Sequence, residues 1–115
     1  MAACSIDLIL NAEISGTTST HVGSARVITG SNTNVSFRVM MGTSTAATAS
    51  LEVKRFTGGS SIISITGSGT GLQDISGSQQ TLSGLSMVND WYDFYASGSS
   101  AAVSTLVKGI RVVLQ

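Results

Sequence analysis

Trp91, Tyr92, Phe94 and Tyr95 gather four of the six aromatic rings of this chain into five consecutive residues. Flat rings, two of them with a phenolic tip, stack on sugars or anchor subunit contacts, so this segment is where recognition chemistry is first sought. In an extended segment side chains alternate, which puts Tyr92 and Phe94 on one side and Trp91 and Tyr95 on the other. With Phe94 in a core, Trp91 and Tyr95 point outward; the alternative is that Trp91 caps the end of that core. Trp91, Tyr95 and Tyr92 are therefore the candidates for a ligand or interface surface.

The remaining chemical inventory is sparse. His21 is the one histidine, which excludes a histidine-rich metal site. A Ser-His-Asp triad would have to use it from a turn, and no serine carries a nucleophile signature. Asp74, Asp90 and Asp93 are the acids that could share a calcium ion, yet they lack the dense oxygen-ligand spacing of a dedicated loop and read as solvated acids near a strand entry. Gly67-Ser68-Gly69-Thr70-Gly71 has the glycine content of a phosphate cradle without the Gly-Lys-Ser/Thr that would follow. The expectation is no catalytic set, no metal and no cofactor, and a protein that is not an enzyme.

Charge narrows the partners. Only 10% of the 115 residues are charged, against about 25% in an ordinary soluble domain, and Ser, Thr and Gly fill about two-fifths of the chain. Six Lys or Arg balance six Asp or Glu. The cations Arg26, Arg38, Lys54, Arg55, Lys108 and Arg111 are dispersed, so no phosphate-tracking surface for nucleic acid is expected. Mean hydropathy is +0.33, which implies a surface of hydroxyls, backbone and small apolar groups, suited to contact with other subunits. No segment approaches the roughly eighteen apolar residues of a membrane span, and Met1 to Asp7 lacks the basic start of a secretory signal. A protein made in a cytoplasm and released within something larger is expected. The lone Cys4 cannot form an intramolecular disulfide and reads as a small buried hydrophobe.

The elements that must position these residues are strands. Cys4, Ile6, Leu8, Leu10, Ala12 and Ile14 form an unbroken alternating set, with Ile9 the apolar exception on the wet face. A second strand is predicted from Gly23 to Thr29 through Ala25 and Val27. Val35, Phe37, Val39 and Met41 point inward in the third, with Phe37 as core anchor. Ala47, Ala49, Leu51 and Val53 repeat the pattern, and Arg55-Phe56 carries a bulge. Ile62 to Ile65 suits a central strand, while Leu72 to Ser76 and Thr81 to Val88 are weaker. The closing strand places Leu106, Ile110, Val112 and Leu114 on one face. Val103, Leu106, Val107, Ile110 and Val113 would also make a helical stripe, but Gly109 and the β-branched valines favour strand. Ile9, Met40 and some of Val107 and Val113 are exposed apolar positions that neighbouring subunits would cover.

Residues 1 to 115 thus read as one all-β domain, an antiparallel β-sandwich of about eight strands, jelly-roll-like rather than immunoglobulin-like because paired cysteines and a spaced core tryptophan are absent. The absence of proline is compatible with strand edges that are paired or covered.

The arrangement of Val35-Ser36-Phe37-Arg38-Val39, Leu51-Glu52-Val53-Lys54, the Gly/Ser region from Ile62 to Leu72, Trp91-Tyr92-Asp93-Phe94-Tyr95 and Ile110-Arg111-Val112-Val113-Leu114 resembles the small jelly-roll structural proteins of tailed bacteriophage virions, the head-decoration and fibre-associated subunits. It is also similar to carbohydrate-binding sandwich modules. The first resemblance implies a virion protein that stabilises a capsid or tail as a homo-oligomer, with a trimer favoured. The second implies a glycan-binding module with Trp91 and Tyr95 as its stacking surface.

Overall fold

Alternating apolar and hydroxyl-bearing residues give strands that each bury one face, and two sheets must stack to cover those faces. The computed structural model describes residues 4–26, 34–45, 47–55, 61–68, 70–81 and 91–115. They form β1 (Cys4–Ser15), β2 (Thr20–Arg26), β3 (Asn34–Thr43), β4 (Thr48–Arg55), β5 (Ser61–Ser68), β6 (Gly71–Ser76), the two-residue β7 (Gln80–Thr81), β8 (Trp91–Gly98) and β9 (Ser104–Leu114). No helix occurs among the described residues.

One sheet has the order β1-β9-β3-β6, with β7 also on β3, and the other β2-β8-β4-β5. Strand pairing within both is antiparallel. The chain changes sheet at nearly every connection, and the β4 to β5 hairpin is where consecutive long strands pair. This is the jelly roll, and the all-β sandwich predicted from the sequence is the fold observed.

The core lies between the sheets. Phe37 of β3 meets the edge of Tyr92 at 5.2 Å and of Phe94 at 6.0 Å, the offset geometry that aromatic quadrupoles prefer. Val35, Val39, Met41, Leu51, Val53, Val107 and Val112 surround them, all fully buried, each contributing about 1.5–3 kcal/mol through removal from water.

Three strand readings need correction. Ile62 to Ile65 belongs to β5, which among the described residues pairs with β4 alone and is an edge strand; a short apolar run does not reveal how many neighbours it has. Within β9, Met40 pairs with Gly109 and Met41 with Val107, so Lys108 is an extra residue. This bulge inverts the alternation: Val107 is fully buried, while Leu106 is half-buried and faces outward. Gly109 permits it, because a Cβ there would lie 2.8 Å from the Leu8 carbonyl oxygen. In β1 the even-numbered face does turn inward, but Leu8, Leu10 and Ala12 are half-buried and Ile6 is 37% exposed. Asn11 adopts a left-handed φ of 48° beside a register shift between Ile9 and Ala12.

A register shift lies between Val53 and Lys54 against β5; the bulge expected at Arg55-Phe56 falls at the limit of the described residues. Val27 to Thr29, Phe56, Leu82 to Val88 and the Cys4 side chain lie outside the described residues.

Candidate functional site

Strand β8 sorts the aromatic segment between two environments. Tyr92, Phe94 and Ala96 face the core with no exposed surface. Tyr92 is therefore corrected from candidate contact residue to core residue, since its ring is closed off against Phe37. Trp91 and Tyr95 face outward as expected; Trp91 is 40% exposed, opposite Arg26 of β2. Tyr95 is half-buried and its ring is already attended. The His21 ring centre lies 5.2 Å from that of Tyr95 at 57°, and Lys54 Nζ stands 4.8 Å over it while also reaching Glu52 Oε1 at 3.3 Å.

Between Trp91 and Tyr95, on the same outward side, Asp93 is buried to 5% exposure. Strand pairing places Ser24 of β2 opposite it. Ser24 Oγ donates to Asp93 Oδ1 at 2.6 Å, and His21 Nε2 lies 2.8 Å from the same Oγ and 3.7 Å from Oδ1. The serine has one proton and gives it to the carboxylate, so the His21 Nε2–H donates to the serine. In a hydrolytic triad the imidazole stands between serine and carboxylate and accepts the serine proton. Here the serine stands in the middle, and no general base acts on it. Asp93 Oδ2 is buried with no hydrogen-bond partner among the described residues.

The sequence predicts a turn at His21 and a solvated Asp93, whereas His21 lies within β2 and Asp93 is buried. The pairing that brings Ser24 opposite Asp93 spans 69 residues and leaves no local signal. Asp74 is on β6, in the other sheet, where Arg38 Nε donates to its Oδ1 at 2.8 Å. Asp74 and Asp93 therefore share no calcium ion, and Asp90 lies outside the described residues. No cluster of three or more His, Cys, Asp or Glu occurs among the described residues. No helix there is long and apolar enough to cross a membrane.

The outward side of the β1-β9-β3-β6 sheet has a different character. Asp7 receives Arg111 Nε at 2.6 Å and Nη2 at 3.1 Å, and Arg38 is the register neighbour of Arg111. The guanidinium holds the Asp7 carboxyl below its ordinary value, mainly through these hydrogen bonds, and Asp7 in turn raises Arg111. Beside this charged row, Ile9 is 76% exposed and Met40 40%, on either side of Gly109. Gly109 floors a hollow of about 350 Å³, and Gly42, flanked by Leu106 and Leu72, floors a second of about 240 Å³ on the same side. A Cβ on Gly42 would collide with the Gly71 carbonyl oxygen.

No protein-family model and no curated protein matches the sequence. The fold is nonetheless shared with solved structures. The chain is similar to the CBM36-1 domain of a multidomain xylanase from the hindgut metagenome of Trinervitermes trinervoides, with TM-score 0.68 and 8% identity over 96% of each chain. It is similar to the carbohydrate-binding module CBM36 in complex with calcium and xylotriose, with TM-score 0.57 and 14% identity over 96% of this chain and 98% of that one. It is also similar to a protein of infectious bursal disease virus, Gx strain, with TM-score 0.63 and 10% identity over 99% of this chain and 32% of that one. The chain thus spans about a third of the viral protein's length. At these identities the likeness is one of fold. The chain is a jelly-roll β-sandwich, an architecture found in both viral-particle and carbohydrate-binding proteins.

Proposed function

We propose that this protein is a non-enzymatic virion structural subunit, of the head-decoration or fibre-associated kind found in tailed bacteriophages, made in the host cytoplasm and acting as a homo-oligomer docked on a capsid or tail. The observation that carries this reading is where the exposed apolar side chains lie. Among the described residues Ile9, Met40 and Leu72 are exposed on the outward side of the β1-β9-β3-β6 sheet, with Ile6 exposed on the inward side of its edge strand, against Trp91 alone on the other sheet. Single exposed apolar residues are ordinary, whereas a gathered set on one sheet marks an interaction surface. The low charge and the jelly-roll likeness to a viral protein support the same reading, as does a His21-Ser24-Asp93 order unsuited to nucleophilic catalysis. Light scattering at high micromolar concentration, with co-sedimentation against virus particles, tests it. A multi-subunit mass or particle binding is expected; a monomer that binds no particle overturns it.

A carbohydrate-binding role is the second reading, favoured by the exposed indole of Trp91 on a sheet that also presents His21 and Arg26, and by the likeness to a module solved with xylotriose. Glycan-array binding that vanishes in Trp91→Ala, with circular dichroism unchanged, would establish it. Tyr95 contributes less to such a site, since Lys54 and His21 already occupy its ring.

A further inference from the structure

Strand register organises the outward side of the β1-β9-β3-β6 sheet into rows. One row runs Ile9, Gly109, Met40, Asp74, and the next runs Glu13, Leu106, Gly42, Leu72. Read from the β1 edge, the first is apolar, glycine, apolar, acid. Read from the β6 edge, the second has the same order. Each glycine floors one of the two hollows described above. Flanking this pair of rows are the charged row of Asp7, Arg111 and Arg38 on one side and the hydroxyl row of Ser15, Ser104 and Ser44 on the other.

We propose that this face is a two-fold interface between two copies of the chain, with the axis in the interface plane and crossing the strands between the two glycine rows. The inference rests on the assembly reading above and specifies its surface. A half-turn about that axis sets each strand over its own counterpart and exchanges the rows. Met40 then stands over the partner's Gly42, and Leu106 over the partner's Gly109. With symmetry, four apolar side chains meet the four hollows, while Ile9 lies over the partner's Glu13 and Leu72 over the partner's Asp74. The charged row meets the partner's hydroxyl row, so Arg38 and Arg111 are not set against their own copies. Lys108 and Glu13 have no ion pair among the described residues, and the rotation brings Lys108 beside the partner's Glu13. Such contacts are isologous, and face-to-face packing of near-aligned strands is the geometry by which sheets ordinarily stack.

The size of the face agrees. Four strands of six to twelve residues, at about 3.4 Å per residue and about 4.8 Å spacing, give roughly 640 Å² of projected face, within about a fifth of the ~800 Å² per partner of a stable complex.

Sedimentation equilibrium of the full chain across a concentration series tests the proposal, with circular dichroism as the fold check. A dimer is expected. Met40→Asp should weaken it by at least about thirtyfold in Kd, while Trp91→Ala on the opposite sheet leaves it unchanged. Lys108→Glu should weaken it, and adding Glu13→Lys should restore it; these exposed charges bear little on folding. A trimer, a dimer indifferent to both Met40→Asp and Lys108→Glu, or a monomer that still binds particles overturns the two-fold face while leaving the assembly reading standing. A monomer that binds no particle overturns both.

Discussion

Arg111 of β9 holds Asp7 of β1 by two parallel hydrogen bonds, Nε to Oδ1 at 2.6 Å and Nη2 to Oδ2 at 3.1 Å, joining residues 104 positions apart across the edge of one sheet. Fork-to-fork pairing of this kind fixes orientation as well as charge. Because the folded pKa of Asp7 is lowered from 3.8, its contribution to stability is present above that value and is lost as pH falls through the lowered one. Urea unfolding across pH should show wild type more stable than Asp7→Asn at neutral pH, with the gap closing under acid. Both side chains are half exposed, so added salt should also narrow the gap. A gap that is constant from acid to neutral pH would show that the pair contributes nothing through charge.

Phe37 is the centre of the aromatic core, with Tyr92 and Phe94 edge-on to it. Phe37→Ala should cost about 3–5 kcal/mol in denaturant unfolding, the usual penalty for emptying an aromatic site in a closed core. A cost under about 1 kcal/mol would mean the two sheets do not meet there.

Ser24 supplies the hydroxyl proton that Oδ1 of the buried Asp93 accepts. Ser24→Ala should cost about 1–3 kcal/mol, since it strips a donor from a buried charged group. In a double-mutant cycle with His21→Ala the two losses should fail to add, because the imidazole acts on the carboxylate through the serine. Strict additivity would show that His21 and Ser24 act independently.

Gly42 has no room for a side chain beside Gly71. Gly42→Ala should destabilise the sheet by roughly 1–3 kcal/mol, through a shift of the β3 and β6 backbones, whereas Gly71→Ala meets only the strain of its φ of 93°. Thermal unfolding of both variants measures the contrast, and equal stability of Gly42→Ala and wild type would place β6 further from β3 than described.

The strands whose faces alternate without interruption were legible in the sequence. Along β3, Val35, Phe37, Val39 and Met41 point inward as their spacing predicts, and Phe37 is the anchor expected. In β9 a single inserted residue, Lys108, reverses the faces of Leu106 and Val107, and periodicity contains no record of an insertion beyond the nearby glycine. The outward placing of Trp91 and Tyr95 was readable from alternation alone. The burial of Asp93 was not, because it depends on β2 lying against β8 and on Ser24 arriving opposite. Both hollows depend likewise on which strands neighbour β9 and β3, a matter of topology rather than of local pattern.

Met40 and Trp91 provide an internal comparison for the central claim, since both are 40% exposed and both oxidise readily, yet they lie on opposite sheets. Hydroxyl-radical footprinting read by mass spectrometry, on assembled and on diluted protein, measures their protection side by side. Met40 should be protected in the assembled sample while Trp91 oxidises at an unchanged rate. Protection of Trp91 with Met40 still open would contradict the account and move the contact surface to the other sheet.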